Sequence, residues 1–179
     1  MSFKEETVTS EMIYEGTILN LRKDTVRVKN GISFREIVEH NGGSVIVAIT
    51  ENNKILMVKQ YRKTFEKEIF ELPAGKIDGD EDPKDAALRE LKEETGYTAK
   101  NIKYLTSIYP SVGYTNEILY IYLCTDLIPG ETDFDENEDI DIYEYDMELL
   151  IGMILAGKIH DAKTIIGILI ANEVLKGEI

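Results

Sequence analysis

Alternation of apolar and polar positions divides this chain into short segments with strand period, interrupted by three stretches that read as helices. Residues 1 to about 40 alternate in segments such as Ile18 to Val28 and Ile32 to Val38. Lys29-Asn30-Gly31 between these two predicts a hairpin, with Asn-Gly supplying the positive φ angles. This small antiparallel sheet carries few large apolar side chains and needs another surface to pack on. Asn41-Gly42-Gly43 marks the expected boundary, giving a small β region over 1–42 and a main domain over 43–179. Strands are predicted at Ser44 to Thr50, Ile55 to Gln60, Glu68 to Leu72, Ile102 to Tyr109, Glu117 to Thr125 and Ile140 to Tyr145. Leu127 to Asp139 reads as loop. One helix starts at Pro83, capped by Asp82 or Asp80, and stops at Gly96. Met147 to Ala156 predicts a second, between Asp146 and Gly157, and Ala162 to Lys176 a third, between Asp161 and Gly177. Ile165, Ile168, Leu169 and Leu175 give the third helix an apolar stripe. The order predicts an α/β fold, a mixed sheet with helices on both faces.

Composition narrows the class. At 179 residues the chain is one domain, or one domain with a small appendage, and 43% hydrophobic content supports a core. A net charge of −14 argues against a nucleic-acid partner, because binding phosphate backbones needs a basic face. The same acid excess fits metal binding, although most of it solvates the surface. A single cysteine allows no internal disulfide and fits a reducing cytoplasm. Cys124 lies in the apolar run Ile118 to Cys124 and reads as a small buried residue. The N-terminus is polar and acidic, unlike a signal peptide, and no apolar run reaches membrane-spanning length, so no membrane partner is expected.

Local chemistry concentrates in the helix before Gly96. At about 100° per residue, Glu90, Glu93 and Glu94 fall within one arc of roughly 100°. Like charges at these spacings cost about 0.2–0.5 kcal/mol per pair. Glu93 and Glu94 also sit in the last turn, where the helix dipole favours a cation. A bound divalent cation, which prefers hard oxygen ligands, would offset the repulsion. A solvated acidic face is the competing reading of the cluster taken alone.

The spacing around the cluster decides between them. From Gly75 to Tyr97 the chain reads G-x5-E-x7-R-E-L-x-E-E-x-G-Y. This resembles the signature of the Nudix hydrolases, G-x5-E-x7-R-E-U-x-E-E-x-G-U, where U is a bulky apolar residue. Gly75, Glu81, Arg89, Glu90, Leu91, Glu93, Glu94 and Gly96 match in register, with Tyr97 at the last apolar position. Beyond the signature, the chain is similar to the ADP-ribose pyrophosphatase branch over most of its length. The similarity rests on Lys59-Gln60-Tyr61-Arg62, Glu71-Leu72-Pro73-Ala74-Gly75 and the Ser111-to-Glu117 loop. It also includes the acidic run Asp135 to Asp139 and Asp161-Ala162-Lys163-Thr164.

The resemblance implies a Nudix-type α/β/α sandwich and a small N-terminal sheet that mediates a domain-swapped homodimer. It implies metal-dependent hydrolysis of the pyrophosphate bond of a small nucleotide sugar, ADP-ribose, to AMP and ribose 5-phosphate. Carried over by position, Glu90 and Glu94 are the central metal ligands, Glu93 shares a second metal position, and the Ala74 carbonyl is a further ligand. Arg89 holds the helix glutamates in place, and Glu81 supports from outside. Glu136 is the expected general base and Glu138 an added metal ligand, with their exchange left open. Arg62, Glu117 and Arg35 are expected to hold ADP-ribose. All-oxygen ligands imply Mg²⁺, with Mn²⁺ as a substitute. His40 and His160 read as incidental, and Cys124 is poorly placed for the isomerase chemistry of another branch. Two alternatives stay open: a broader nucleotide-sugar or dinucleotide diphosphatase, and a non-catalytic module that binds ADP-ribose. Retention of every signature glutamate favours an enzyme. The chain departs from the branch at Val112, where a proline is usual, and has no aromatic at Thr17-Ile18-Leu19.

Overall fold

The computed structural model describes residues 4–134 and 139–177. They form two compact units, Met1–Gly42 with Tyr109–Ile118, and Gly43–Ile108 with Leu119–Ile179.

In the first unit, β1 (Glu6–Glu15), β2 (Asn20–Val28) and β3 (Gly31–Glu39) form an antiparallel sheet in that order. Lys29-Asn30 makes the turn expected between β2 and β3, with Val28 opposite Gly31, but only Gly31 takes a positive φ, 127°, and Asn30 does not. The sequence reading did not separate β1, whose residues are all exposed and show no buried face. The segment Tyr109–Ile118, assigned from sequence to the main domain, bonds to β3 through Val38 N–H to Tyr114 O at 2.7 Å and Asn116 N–H to Val38 O at 3.2 Å. His40 serves the local backbone: its Nδ1 accepts the Gly42 N–H at 3.0 Å, and its own N–H donates to Asn116 Oδ1 at 2.9 Å. Val112 is 83% exposed in this segment.

In the second unit, β4 (Gly43–Ala48) lies between β7 (Ala74–Lys76) and β9 (Leu119–Ile128), with β8 (Thr98–Ile108) beyond β9. β4 and β9 run parallel, while the β4–β7 and β8–β9 pairs are antiparallel. A second, antiparallel sheet joins β10 (Ile140–Asp146), β5 (Lys54–Arg62) and β6 (Lys67–Glu71). Every residue of β4 is buried, as a parallel strand covered on both faces requires. Its side chains alternate between two cores. Val45 and Val47 meet Ile121, Leu123, Leu150, Ile168 and Ala171, on the side of α2 (Met147–Leu155) and α3 (Ala162–Lys176). Ile46 and Ala48 meet Tyr122, Cys124, Ala87 and Leu91, on the side of α1 (Pro83–Thr95). Helices therefore cover both faces, the α/β/α sandwich expected.

Three local expectations differ. β9 continues through Leu127, which is buried, so the following loop starts later. Asp146 precedes α2 without making a side-chain cap bond. The buried face of α3 is Thr164, Gly167, Ile168 and Ala171, while Leu169 and Leu175 are exposed. Small residues win that face because the helix lies close to the sheet. A Cβ on Gly167 would come within 2.7 Å of the fully buried Leu72 Cδ1 and 3.3 Å of Val47.

Gly167→Val is therefore expected to destabilise by about 1–3 kcal/mol through overpacking. Gly152→Ala, in open space on α2, is expected to stabilise by about 0.5–1 kcal/mol. Urea denaturation checks both, and equal effects of the two substitutions would contradict this packing.

Candidate active site

The helix carrying the acidic cluster is fixed at both ends. Asp82 caps α1 by accepting the Lys84 N–H at 2.8 Å, and Pro83 follows it. Gly96 closes it at φ 74°, a left-handed conformation that favours glycine. A Cβ there would also lie 2.9 Å from the Gly130 carbonyl oxygen. Ala86, Ala87 and Leu91 bury the opposite face, which orients the glutamates.

Arg89 organises those glutamates. Its Nη1 donates to Glu90 Oε1 and to Glu93 Oε2, both at 2.8 Å. Nε and Nη2 grip the two oxygens of Glu81 at 3.1 and 3.0 Å, and Nη2 also reaches the Lys76 carbonyl at 2.9 Å. These charge-assisted bonds raise the Arg89 pKa, foremost the bond with Glu81, against the opposing effect of burial. The same bond holds the Glu81 carboxyl below its ordinary range. Glu81 thus supports the cluster through Arg89.

Glu94 turns elsewhere. It is 4% exposed and accepts the Ala74 N–H at 3.0 Å. The neighbouring Gly75 lies so close to Glu90 that a Cβ would fall 1.9 Å from its carboxyl carbon. Glycine at this signature position is required by that approach. Two carboxylates therefore flank one dipeptide, 74–75, which β4 holds through the Val45–Ala74 and Ser44–Gly75 register.

Glu90 and Glu93 meet at one nitrogen of Arg89, while Glu94 turns to the Ala74 backbone. Among the described residues, no group of three or more His, Cys, Asp or Glu side chains is arranged to hold a metal ion. Arg89 draws Glu90 and Glu93 to itself, and Glu94 is committed to the Ala74 backbone. The donor chemistry nonetheless fits a hard divalent cation. Glu90, Glu94 and the 74–75 backbone offer oxygen ligands at one place, and such ions complete their shells with water or phosphate oxygens.

The remaining predicted residues divide between the units. Arg62, in the second unit, pairs with Glu71 at 2.6 and 2.8 Å while its side chain stays 40% exposed. Glu71 raises the Arg62 pKa, burial opposes this, and the charges of Glu94 and Asp161 raise it further. In the first unit, Arg35 donates to Glu5 at 2.9 and 2.5 Å, and Glu117 lies 3.5 Å from His40 Nδ1. Glu136 and Glu138 lie outside the described residues. The described chain before them is anchored to α1 by Asp133 N–H donating to the Glu93 carbonyl at 3.0 Å. Cys124 is fully buried and its thiol is pushed up to about 12 by burial, which leaves it unreactive.

Two features escaped the sequence reading. Tyr14, at the end of β1, is 58% exposed and its ring packs against Gly16, so the N-terminal arm does present an aromatic. Glu71 is the other, a buried carboxylate shared by Arg62 and Lys163. Its partners come from distant segments, and only the 3% exposure reveals it.

Burial pushes the Glu71 pKa up, but the Arg62 bond and the Lys163 charge outweigh it, and the carboxyl is held below its ordinary range. Its stabilisation is therefore fully present above the unfolded-state value and is lost as pH falls through the lower folded-state value. Unfolding free energy is expected to drop as pH falls below the ordinary carboxylate range, with a shallower drop in Glu71→Gln. Identical acid profiles for the two proteins would contradict this ionic role.

Comparison with known proteins places these features in a family. The NUDIX domain model matches residues 40–165. The chain is 42% identical to the methanol dehydrogenase activator of Bacillus methanolicus, over 93% of this chain and 91% of that protein. It is 40% identical to the ADP-ribose pyrophosphatase of Bacillus subtilis (strain 168), over 91% and 90% respectively. A crystal structure of an ADP compounds hydrolase superposes with a TM-score of 0.86 at 22% identity, covering 98% of this chain and 96% of that one. No helix among the described residues is long and apolar enough to cross a membrane.

Proposed function

Since this chain belongs to the Nudix family of hydrolases, we propose that it cleaves the pyrophosphate bond of ADP-ribose. One water is consumed, and AMP and ribose 5-phosphate are released. The observation that carries the reading is the pair of glutamates around residues 74–75. Glu94 is held on the Ala74 N–H, and Glu90 is packed against Gly75. ADP-ribose is favoured as substrate by the 40% identity to the Bacillus subtilis pyrophosphatase over most of both chains.

The roles follow from the chemistry of the transfer. Glu90, Glu94 and the Ala74 carbonyl would hold Mg²⁺ or Mn²⁺, with Glu93 and Glu138 at a second position. A bound divalent cation supplies neutralisation of the phosphate oxygens during in-line attack. Arg89 orients Glu90 and Glu93 by bonding both through one nitrogen. Glu136 takes the proton from the attacking water. Arg62 meets the anionic substrate, and Glu117 and Arg35 from the first unit are proposed as further contacts. Arg35 must first exchange its Glu5 partner for substrate. The buried, solitary Cys124 accords with a reducing, cytoplasmic setting.

A homodimer is part of the proposal. β1 leaves Val8, Met12, Ile13 and Tyr14 exposed, and Ile32 and Phe34 are exposed on β3. So much apolar surface on a three-stranded sheet calls for a partner, and a second copy of this chain meets the need.

Glu94→Gln is expected to cut ADP-ribose turnover by orders of magnitude while the melting temperature stays within a few degrees. Wild-type rates in that variant would remove the helix glutamates from the mechanism. Glu136→Gln should slow turnover while Mn²⁺ affinity stays unchanged; a loss of affinity would exchange the roles of Glu136 and Glu138. Light scattering should return twice the 20.3 kDa chain mass, and a value near the single-chain mass would rule out the dimer.

A further inference from the structure

Asp161-Ala162-Lys163-Thr164 has no place in the chemistry above, yet it closes a cluster of two cations and two anions. Arg62 from β5 gives Nε to Glu71 Oε1 at 2.6 Å and Nη2 to Glu71 Oε2 at 2.8 Å. Lys163, in the first turn of α3, donates its ammonium to the same Glu71 Oε2 and lies 3.0 Å from Asp161 Oδ2. Asp161 Oδ2 also accepts the Thr164 N–H at 3.0 Å and the Thr164 hydroxyl at 2.6 Å. The Thr164 oxygen in turn accepts the Leu72 N–H at 2.8 Å, two residues before Ala74.

Folding alone does not account for Lys163. Its side chain is 14% exposed, and burying an ammonium is costly unless it is paired. It also sits at the positive end of the α3 dipole, where a cation is unfavourable. A neutral apolar side chain, with a neutral partner at position 71, would serve packing equally well. What Lys163 does provide is a second cation for Glu71. With Lys163 present, Glu71 is shared, and Arg62 is held rigidly without being fully neutralised. Without it, Arg62 and Glu71 form a closed neutral pair, Asp161 is left uncompensated, and the cluster becomes negative within reach of the Glu94 charge that acts on Arg62.

We infer that Lys163 is a positioning residue for substrate binding: through the shared Glu71 carboxylate it orients Arg62 and preserves its positive charge for the diphosphate. This rests on the reading that Arg62 meets the substrate. Lys163 acts on ground-state binding of a phosphorylated ligand more than on the chemical step, so its loss raises KM and leaves kcat nearly unchanged.

The test pairs kinetics with equilibrium binding of ADP-ribose in EDTA, where no turnover occurs. Lys163→Met is expected to raise KM and weaken binding about tenfold, the loss of roughly one charge-assisted contact, with kcat within about twofold of wild type. Lys163→Arg should restore both. Arg62→Ala combined with Lys163→Met should bind no more weakly than Arg62→Ala alone, because Lys163 acts through Arg62. If Arg62→Ala weakens binding but Lys163→Met does not, or if their effects simply add, the inference is overturned while the role of Arg62 stands. If Arg62→Ala itself binds as wild type, the underlying reading fails. Should Lys163→Met melt below the assay temperature, Asp161→Asn with Lys163→Met, which leaves Glu71 paired with Arg62 and no uncompensated carboxylate at position 161, is expected to fold and to show the same tenfold weakening. Wild-type binding in that double variant would also overturn the inference.

Discussion

One guanidinium against four carboxylates is the constraint around which this protein is arranged. Arg89 bonds Glu81, Glu90 and Glu93 at once and leaves Glu94 to the backbone of Ala74. A single cation cannot neutralise that much acid, so the helix face remains strongly negative even with Arg89 in place. The protein tolerates this because α1 is anchored elsewhere. Ala86, Ala87 and Leu91 bury its other side, Asp82 caps its start, and Gly96 closes its end. The repulsion becomes useful when a divalent cation is available, since the strain of crowding is then relieved by binding.

The segment from Glu71 to Lys76 is the second half of the same device. β4 holds residues 74–76 by antiparallel pairing, and Ile46 N–H donates to the Pro73 carbonyl at 2.9 Å. Glu94 takes the Ala74 N–H, Thr164 takes the Leu72 N–H, and Arg62 with Lys163 takes Glu71. Successive residues of one short stretch are thus bonded to β4, α1, α3 and β5. Glycine at 75 lets the stretch press against Glu90, and glycine at 167 lets α3 press against Leu72. Distances at the site depend on contacts from four elements, which is how a rigid catalytic geometry is built.

Signals confined to a few neighbouring residues were legible in the sequence. The α1 bounds followed from Asp82, Pro83 and Gly96, the β2–β3 hairpin from Asn30-Gly31, and the sandwich from the element order. Signals that depend on distant partners were not. β1 lacks a buried face and so lacks a period, and β7 is three residues long, defined only by its pairing with β4. The apolar stripe on α3 misled because burial there is decided by how closely Gly167 and Ala171 let the helix approach. Within the site, the signature placed Arg89 and the glutamates on one helix. It could not show that Arg89 would bond Glu90 and Glu93 through one nitrogen while Glu94 turned to the Ala74 backbone. Glu71 and Lys163 stood in two separate motifs with no sign that they pair, since their meeting spans 92 residues of chain.

On the proposed reading, the Glu90–Glu94 face and the 74–75 backbone serve pyrophosphate hydrolysis by water. Hydrolysis in ¹⁸O-labelled water with Mg²⁺, across ADP-ribose, other nucleotide sugars and dinucleotides, tests it most directly. AMP and ribose 5-phosphate are expected from ADP-ribose, with a single ¹⁸O in one of the two phosphates. Absence of hydrolysis across the panel, or products whose phosphates carry no label, would contradict it.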